Sequence, residues 1–386
     1  MQTVILAAGE GRRLGPLTDG RPKPMVPVGN RPILESVLDA AIDAGAGEVV
    51  LVVGHCRERI QNHFGDGDGW GVPISYVVQD HQLGAAHALS QVAERVDGPF
   101  VTLHGDQLVD PELVARLVDR YEATAQSTIA VVQSDRPTEY GAVDVDGERV
   151  RSVSATPTEE PPFLVNAGAY VFDEAVFAAI DAAEPRETRE FGMATMLQRL
   201  ADDGALSAVV HRGPWRDVTH PWDLLATNAQ LLHERATEQP PEGVDGTAAV
   251  ADDVALDGTV AVGPNASLLP GTALGRNVRV GANATLANCI VMAGARIGDG
   301  AVLHDCIVGE SVEIGPNVTV EGGPARVVAT DAVYDDVEFG GLFADRARLR
   351  GGVTVAPGTV VGRDATADSG TVLRGEIGSG ETVRRG

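Results

Sequence analysis

Lysine is almost absent from this chain of 386 residues. Lys23 is the one lysine among its 30 basic residues, and all the others are arginines. With 55 acidic residues, the formal net charge is −25. Such a surface repels nucleic acid and anionic membranes, so we expect neither as a partner. A ligand that carries phosphate must therefore be held by local cations or by a metal ion.

The acidic excess and the scarcity of lysine together indicate a protein of halophilic type, adapted to high salt. At molar salt the Debye length is about 3 Å, so repulsion among the carboxylates is largely screened. GC-rich coding also favours arginine over lysine, and the composition leaves both explanations open.

Cysteine is scarce, and long apolar runs do not occur. The three cysteines, Cys56, Cys289 and Cys306, are far apart in sequence and form no C-x-x-C pair. We therefore expect neither a disulfide framework nor a zinc site, and a reducing compartment fits. No apolar stretch reaches the roughly 18 residues of a transmembrane helix. Residues 1–9 predict a β-strand rather than a signal peptide, so we expect a cytoplasmic protein.

Strands and helices alternate from residue 1 to about residue 235. Buried strands are predicted at 49–53, 74–78, 100–103 and 129–132, and helices at 33–44, 85–96 and 112–123. The later segments 141–145 and 164–172 are typical of antiparallel additions, and a closing helix is predicted at 222–234. The pattern predicts an α/β, Rossmann-like domain over 1–235 with a mixed, mostly parallel sheet.

The period of the apolar residues changes after a linker at 236–248, which is rich in proline, glycine and charge. Aliphatic residues then recur at six-residue steps, first at Val250, Leu256, Val262, Leu268, Leu274, Val280 and Leu286, and later at Leu349, Val355, Val361, Ala367 and Leu373. A six-residue repeat indicates a parallel β-helix, whose triangular coils each take three hexads. We expect this domain at 249–386, with a register slip around 288–292 and a loop outside the coil at about 321–338.

A glycine-rich turn follows the first predicted strand and precedes the lysine. Residues 9–15 read GEGRRLG and residues 22–25 read PKPM. Glycines let backbone N–H groups approach a phosphate closely, and Arg13 and Lys23 add positive charge. The dinucleotide pattern G-x-G-x-x-G fails at Leu14, and the Gly-Lys-Ser/Thr of a P-loop is missing. Arginine would keep the charge but not the compact ammonium, so the retention of Lys23 indicates a contact that lysine alone satisfies.

These motifs resemble the signature of the sugar-1-phosphate nucleotidylyltransferases. Further segments match in order, namely Gln79-x-x-x-Leu83-Gly84, Gly105-Asp106, Tyr140-Gly141, Asn166-Ala167-Gly168 and Trp215-Arg216-Asp217-Val218. The resemblance covers nearly the whole chain, because many members carry a C-terminal left-handed β-helix. It implies an enzyme that joins a nucleoside triphosphate to a sugar-1-phosphate with Mg²⁺ and releases pyrophosphate. UTP or dTTP, with glucose-1-phosphate or N-acetylglucosamine-1-phosphate, are the favoured substrates.

The resemblance also implies a role for each matching residue. The triphosphate would be held by Ala7, Ala8, Gly9, Gly11 and Arg13, the base by Gln79 and Gly84, the sugar by Gly141 and Asn166, the sugar phosphate by Lys23, and Mg²⁺ by Asp106 and Asp217. The chemistry calls for these residue types independently. Attack of a sugar-phosphate oxygen on the α-phosphorus crowds several phosphate charges, which a metal ion on two carboxylates, an arginine and a lysine together offset.

Several of these assignments have a structural alternative. Asp106 follows an apolar strand and a glycine, so it could serve as a turn or helix-cap residue. Asp217 follows Arg216, which could neutralise it in a structural ion pair. Gln79, at the end of a strand, could cap its loop instead of facing a base.

The sequence departs from the family pattern in one segment. Residues 155–157 read ATP where many members have Glu-Lys-Pro, although Glu159 and Glu160 lie close by. The alternative is therefore a catalytically degenerate regulatory or scaffold subunit that binds sugar nucleotides.

The predicted β-helix raises a second alternative, a bifunctional enzyme with an added acetyltransferase. The neighbourhood of His304 resembles that of the catalytic histidine in archaeal bifunctional members, although Ile307 stands in place of a tyrosine. Histidine at a coil corner is more often a polar turn residue, so the default role of this domain is assembly. We expect a homo-oligomer, such as a trimer through the β-helix.

Overall fold

A computed structural model describes residues 1–134, 140–154, 163–182, 192–235, 240–329 and 332–385. The chain divides into two compact units. The first comprises Met1–Glu10, Arg21–Met25 and Ile33–Asp217, and the second comprises Gly11–Gly20, Val26–Pro32 and Val218–Gly386. Two short N-terminal segments thus group with the C-terminal part of the chain. The domain boundaries expected at 235 and 249 stay a prediction.

The N-terminal 235 residues contain the predicted alternation of strands and helices. The strands are β1 Gln2–Ala7, β2 Pro27–Val28, β3 Arg31–Pro32, β4 Glu48–Val53, β5 Ile74–Val78, β6 Phe100–His104, β7 Gln107–Leu108, β8 Ser127–Ser134, β9 Ala142–Asp146, β10 Arg149–Ser154, β11 Phe163–Phe172, β12 Leu206–Val210 and β13 Arg216–Asp217. The α-helices are Ile33–Asp43, Arg57–Phe64, Ala85–Ser90, Pro111–Thr124, Ala175–Ala182, Met193–Asp202 and Pro221–Glu234, and the 3₁₀ helices are Arg12–Thr18, Lys23–Met25 and Asp68–Trp70.

A sheet of nine strands, in the order β5-β4-β1-β6-β11-β8-β12-β10-β9, forms the centre of the first unit. The side β5-β4-β1-β6 is entirely parallel, as predicted. The prediction of a mostly parallel sheet is wrong for the other side, where β11 runs antiparallel to both β6 and β8 and the β9–β10 hairpin extends the edge. Strands β1 and β4 are buried, as their continuous apolar sequences require.

The parallel part of the sheet has a switch point between β1 and β6. The chain continues from β1 through β4 to β5 on one side, then returns to place β6 on the other side of β1. Loops that leave the carboxyl ends of two such strands diverge to opposite faces of the sheet and open a crevice, which is where ligands bind in folds of this type. The turns after Ala7 and His104 lie at this edge.

One predicted helix is shorter than expected. The pattern predicts a helix over 85–96, but the α-helix ends at Ser90. Beyond it the amides of Val92, Ala93 and Arg95 donate to carbonyls three residues back, so the chain tightens into successive turns. The apolar spacing of 92 and 96 persists through these turns, which is why the sequence pattern did not reveal the end of the helix.

The C-terminal part of the second unit is built from short parallel strands. They are β14 Ala249–Val250, β15 Ala255–Leu256, β16 Ala261–Val262, β17 Ser267–Leu268, β18 Ala273–Leu274, β19 Arg279–Val280, β20 Thr285–Val291, β21 Arg296–Ile297, β22 Val302–Val308, β23 Glu313–Ile314, β24 Thr319–Val320, β27 Gly341–Phe343, β28 Arg348–Leu349, β29 Thr354–Val355, β30 Thr359–Val361, β31 Thr366–Ala367, β32 Val372–Leu373, β33 Glu376–Ile377 and β34 Thr382–Val383, with an antiparallel hairpin, β25 Pro324–Ala329 and β26 Ala332–Glu338, between β24 and β27.

Each strand of this coil pairs with the strand one coil later, in register. Val250 lies beside Leu268, which in turn lies beside Leu286, and Val262 lies beside Val280. The aliphatic residues predicted to point inward form one buried cluster or pack against it. The periodicity therefore identified a domain of parallel strands consistent with a β-helix.

Coil corners repeatedly use asparagine in the left-handed conformation. This conformation occurs at Asn265, Asn277, Asn283, Asn288 and Asn317. Among residues other than glycine, asparagine adopts it most readily, so these positions match the turns that the hexads require. At Asn288 the corner falls inside β20, where the predicted register slip lies.

The two coil cysteines lie closer than their sequence separation suggests. Cys289 and Cys306 occupy equivalent positions on adjacent coils, and their sulfur atoms are 3.7 Å apart. Both are free thiols, as is Cys56. Burial and the contact with Cys289 raise the pKa of the Cys306 thiol, so both groups act as small apolar side chains within the coil.

The helix Pro221–Glu234, hereafter the closing helix, covers one face of the coil. It contacts β20 and β22, whose outward residues Ile290 and Ile307 are buried. At its start, His220 and Trp222 stack with ring centroids 4.6 Å apart, and Tyr334 of the hairpin packs against both. No helix in the ranges given above is long and apolar enough to cross a membrane.

The coil offers a matched test of inward and outward positions. Val320 is 1% exposed, whereas Val372 is 58% exposed. We expect Val320→Ala to lower the free energy of unfolding by about 2 kcal/mol, because both the transfer and the cavity contributions are lost. Val372→Ala should lower it by less than about 0.5 kcal/mol. Denaturant unfolding measures both variants, and equal losses would contradict these coil positions.

Candidate active site

The carboxyl edge of the parallel strands brings several predicted residues together. Ala8 and Gly9 follow β1, and the Gln82 side-chain amide donates to the Ala8 carbonyl at 3.0 Å. Gly54, after β4, lies so close that a side chain there would meet the Ala8 carbonyl oxygen at 2.9 Å. A side chain at Gly9 would meet no described atom within 4 Å. The chain beside Gly9 therefore borders open space, as a phosphate-binding turn requires.

Gly105 allows the turn after β6 to approach the end of β1. Its amide donates to the Leu6 carbonyl at 2.9 Å, and a side chain would meet that oxygen at 3.0 Å and the Ala7 Cβ at 3.2 Å. A larger residue would push the two strand ends apart. Asp106, the next residue, is thereby held at the switch point between β1 and β6.

Lys23 and Asp106 form the central ion pair of the site. The Lys23 Nζ lies 2.6 Å from the Asp106 Oδ2, and the two side chains are 12% and 30% exposed. Burial alone would raise the pKa of Asp106, but the Lys23 ammonium and local hydrogen bonds outweigh it and hold the pKa below its ordinary range. The pair therefore presents an ionised carboxylate beside a compact ammonium.

Asp217 is positioned beside Asp106 by a short antiparallel pairing. In that pairing Asp217 of β13 lies opposite Gln107 of β7, the residue after Asp106. The Tyr140 hydroxyl donates to the Asp217 Oδ2 at 3.1 Å, and the Tyr140 ring packs edge-on against Trp215 at 5.1 Å between centroids. The structure therefore brings Lys23, Asp106 and Asp217 into one site.

His104 is a site residue that the sequence analysis missed. Burial lowers its pKa against the opposing influence of Asp106 and Asp217, so its imidazole is neutral near pH 7. Its Nε2 lies 3.5 Å from the Tyr170 hydroxyl. A histidine two residues before the aspartate of a Gly-Asp motif was the available signal, but the motif was interpreted through Gly105 and Asp106 alone.

The two residues predicted to contact the sugar are neighbours. The Asn166 amide donates to the Gly141 carbonyl at 3.1 Å. The Asn166 side chain accepts from the Gly168 amide at 3.1 Å and donates to the Tyr170 hydroxyl at 2.7 Å. This side chain is therefore fixed, and it connects the Gly141 turn to the buried layer that contains Tyr170 and His104.

Gln79 and Gly84 also lie together. The Gln79 side-chain amide donates to the Gly84 carbonyl at 3.2 Å and lies 2.9 Å from the His87 Nδ1. Gln79 is 4% exposed. The side chain thus stabilises its own loop, as the structural alternative proposed, while its carbonyl oxygen is left to face a ligand.

Gly11 and Arg13 belong to the second unit. Gly11 adopts a φ of 69° immediately before the 3₁₀ helix Arg12–Thr18, and Arg13 is exposed within that helix. The glycine allows the left-handed turn into the helix without steric cost.

The remaining predicted positions are described separately. His304 lies in β22, and its side chain forms no hydrogen bond or ion pair with any residue in the described ranges. The segment 155–157, with Glu159 and Glu160, lies outside the described residues.

The chemistry of the donors in the first unit suits a divalent cation that is shared with a substrate. Asp106 and Asp217 supply oxygen ligands from paired strands. No group of three or more His, Cys, Asp or Glu side chains within the described ranges could enclose a metal ion. Mg²⁺ fits this arrangement, because it is usually held by one or two carboxylates together with substrate phosphates.

Comparison with protein families gives two matches. The model described as nucleotidyl transferase matches residues 2–234, and the model described as GMPPB C-terminal domain matches residues 250–379. Together they span the two regions that the sequence analysis separated.

Similar proteins include the low-salt glycan biosynthesis nucleotidyltransferase of Haloferax volcanii. It is 36% identical over 271 residues, which cover 69% of this chain and 74% of the relative. The UTP–glucose-1-phosphate uridylyltransferase AglF of the same organism is 35% identical over 62% of this chain and 100% of its own length. The bifunctional protein GlmU of Methanococcus aeolicus is 26% identical over 98% of this chain and 95% of its own length.

Among solved structures, a UDP-glucose pyrophosphorylase complexed with UDP-glucose shares the fold. The TM-score is 0.55 at 19% identity, over 61% of this chain and 99% of that chain. The likeness covers the length of a nucleotidyltransferase domain and supports its Rossmann-like architecture.

The ion pair predicts the titration of Asp106. Lys23→Gln should raise its pKa, because the ammonium that opposes the effect of burial is lost. In the wild type, the pair contributes stability above the unfolded value of about 3.9, and this contribution is lost as the pH falls through the lower folded pKa. Carboxyl-carbon NMR without divalent cations measures the shift. Lys23→Arg, the control, should keep the pKa low, and an unchanged pKa in Lys23→Gln would contradict the pairing.

Proposed function

The chain belongs to the sugar-1-phosphate nucleotidyltransferase family, a group of enzymes of nucleotide-sugar biosynthesis, and we propose that it couples UTP or dTTP to glucose-1-phosphate or N-acetylglucosamine-1-phosphate. An oxygen of the sugar phosphate attacks the α-phosphorus of the nucleotide. The bond from the α-phosphorus to the bridging oxygen breaks, and pyrophosphate leaves with that electron pair. The products are a nucleoside diphosphate sugar and pyrophosphate.

The contact between Lys23 and Asp106 is the observation that carries this proposal. The one lysine of a strongly acidic chain lies 2.6 Å from a carboxylate at the switch point of the sheet, with a second carboxylate on the neighbouring strand. Lys23 would neutralise the sugar phosphate as it approaches the triphosphate. Because the attacking phosphate oxygen is already ionised, the reaction needs positioned charge rather than a strong general base.

Members of the family generally use a divalent metal ion, and we assign Mg²⁺ to this protein. Asp106 and Asp217 would hold it, with Tyr140 orienting the Asp217 carboxylate through its hydroxyl. When bound, the ion supplies positive charge against the crowded phosphates. Lys23 keeps Asp106 ionised until then.

The other roles follow the resemblance and agree with the local structure of each residue. Ala7, Ala8 and Gly9 would present backbone groups to the triphosphate from the open end of β1, and Gly11 and Arg13 would complete that loop. The Gln79–Gly84 loop would face the base, and the Gly141–Asn166 turn would face the sugar. The side chains of Gln79 and Asn166 are already held by hydrogen bonds, so little entropy is lost when a substrate binds.

We assign the coil a structural role in assembly. We propose that it is a left-handed β-helix over residues 249–386, joined by a linker at 236–248, and that it brings the chains together as a trimer. The match of residues 250–379 to a C-terminal domain model supports these boundaries. His304 lacks an orienting partner among the residues described, so the proposal does not extend to acetyl transfer.

The function is tested by pyrophosphate release from a panel of nucleoside triphosphates and sugar-1-phosphates. With Mg²⁺ and molar KCl, we expect turnover with UTP or dTTP. Lys23→Arg should lower turnover by about 10- to 100-fold, because the larger planar guanidinium displaces the phosphate contact.

Asp106→Asn is the companion variant, and it should lose metal-dependent turnover. Wild-type rates in Lys23→Arg would contradict the role of the ammonium. Binding of a nucleotide sugar without turnover across the whole panel would instead identify a regulatory subunit.

Tyr140→Phe tests the support of Asp217. The variant keeps the ring packed on Trp215 but loses the hydrogen bond, so the half-saturating Mg²⁺ concentration should rise about tenfold. Tyr121→Phe is the matched control, because the Tyr121 hydroxyl donates to Asp173 at 3.3 Å away from the site. Equal Mg²⁺ dependence in the two variants would show that the Tyr140 hydroxyl does not orient a metal ligand.

A further inference from the structure

The glycine-rich signature is divided between the two units. Gly11–Gly20 and Val26–Pro32 both group with the coil, whereas Arg21–Met25, which contains Lys23, groups with the first unit. The five residues around the lysine therefore have both of their chain neighbours fixed by contacts of the second unit. What holds those neighbours in place sets where the chain enters and leaves the Lys23 turn.

The hairpin β2–β3 is bound to the coil by a side chain at its tip. The amide of Asn30 donates to the carbonyl oxygen of Leu274 at 2.9 Å and to that of Ala255 at 3.2 Å. These carbonyls belong to the neighbouring parallel strands β15 and β18. Asn30 thus connects the hairpin to two successive coils. Its φ of 65° is one that asparagine accepts readily.

The closing helix secures the same hairpin from a second direction. Asn228 is fully buried, accepts from the Gly29 amide at 2.8 Å and donates to the Gly271 carbonyl at 2.7 Å. Arg235 donates to the Gly29 carbonyl at 2.8 Å. A single buried amide therefore joins hairpin, helix and coil, and removal of any partner would leave a buried polar group unpaired.

The other flanking segment also ends against the coil. Gly20 lies so close to Arg363 that a side chain would meet the guanidinium at 3.1 Å and the Asp345 carboxylate at 3.8 Å. Both ends of Arg21–Met25 are thus tied to elements of the second unit.

We propose that the coil is a positioning element for nucleotidyl transfer, with Asn30 as a positioning residue that acts through the Lys23 turn. The inference rests on the proposed function for its catalytic consequence. The coil fixes the chain on both sides of Lys23, so the ammonium is held before substrate arrives. Loss of the Asn30 amide frees the hairpin and lowers the fraction of chains in which Lys23 is correctly placed.

The test uses the full chain with Asn30→Gly and Asn30→Asp. Glycine keeps the left-handed conformation and removes the side chain, whereas aspartate keeps the shape but turns a donor toward two carbonyls into an acceptor. Asn277→Gly and Asn277→Asp are the matched controls, since Asn277 has a φ of 59° at an exposed coil corner. All four variants should melt within about 3 °C of the wild type.

Two readouts decide the proposal. Amide hydrogen exchange at Lys23, Met25 and Val28 should be at least about tenfold faster in both Asn30 variants and unchanged in the controls. The kcat/KM for pyrophosphate release should fall about tenfold in the Asn30 variants and stay within about twofold in the controls. Exchange at wild-type rates overturns the proposal, as does faster exchange with wild-type kcat/KM.

The exchange readout does not depend on turnover. If the wild type releases no pyrophosphate from any substrate pair, the proposed function fails. Faster exchange in the Asn30 variants would then still support the anchoring of the Lys23 turn by the coil, and unchanged exchange would overturn it.

Discussion

The attraction between Lys23 and Asp106 is the interaction on which the candidate site depends. Each partner keeps the other charged, because the ammonium holds the carboxylate ionised in surroundings that favour its neutral form. An ionised carboxylate is what a divalent cation requires, and an ammonium is what a phosphate requires. On the proposed function, substrates and metal replace the two halves of one pair, so neither charge is left unpaired in a partly buried site. This matters more in a chain of net charge −25, where few local cations oppose the carboxylates.

The pair can form there because the backbone around it is closely packed. Gly105 lets the turn after β6 approach β1, and Gly168 lies where a side chain would meet the Gln107 Oε1 at 1.6 Å. Beneath these turns, Asn166 and Tyr170 form a buried hydrogen-bonded layer that reaches His104. Burial raises the pKa of Tyr170, so this layer stays protonated and uncharged over the range in which the carboxylates are ionised. The sugar side and the metal side of the site are therefore supported by one rigid layer.

The sequence predicted most residues of the site but few of the contacts that hold them. Lys23 and Asp106 were found because their neighbours form motifs whose spacing is preserved, and the coil was found because its period is short and regular. His104 was missed because a single histidine at the end of a strand has no periodic signal. The antiparallel half of the sheet was underestimated because antiparallel β11 is as continuously apolar as a parallel strand. Stacked Cys289 and Cys306 follow from a register slip whose size the sequence pattern did not fix.

The anchoring of the signature is the feature that sequence comparison is least able to reveal. Asn30 binds main-chain carbonyls, which every residue supplies, so no complementary side chain in the coil marks its partner. The motif is continuous from Gly9 to Met25 in sequence, yet its residues are distributed over two units. A relative that matches only the N-terminal region shares the motif without these carbonyls, and it must hold its lysine turn by other contacts. Resemblance therefore transfers the chemistry of Lys23 from protein to protein, whereas the means of positioning it has to be read from each structure.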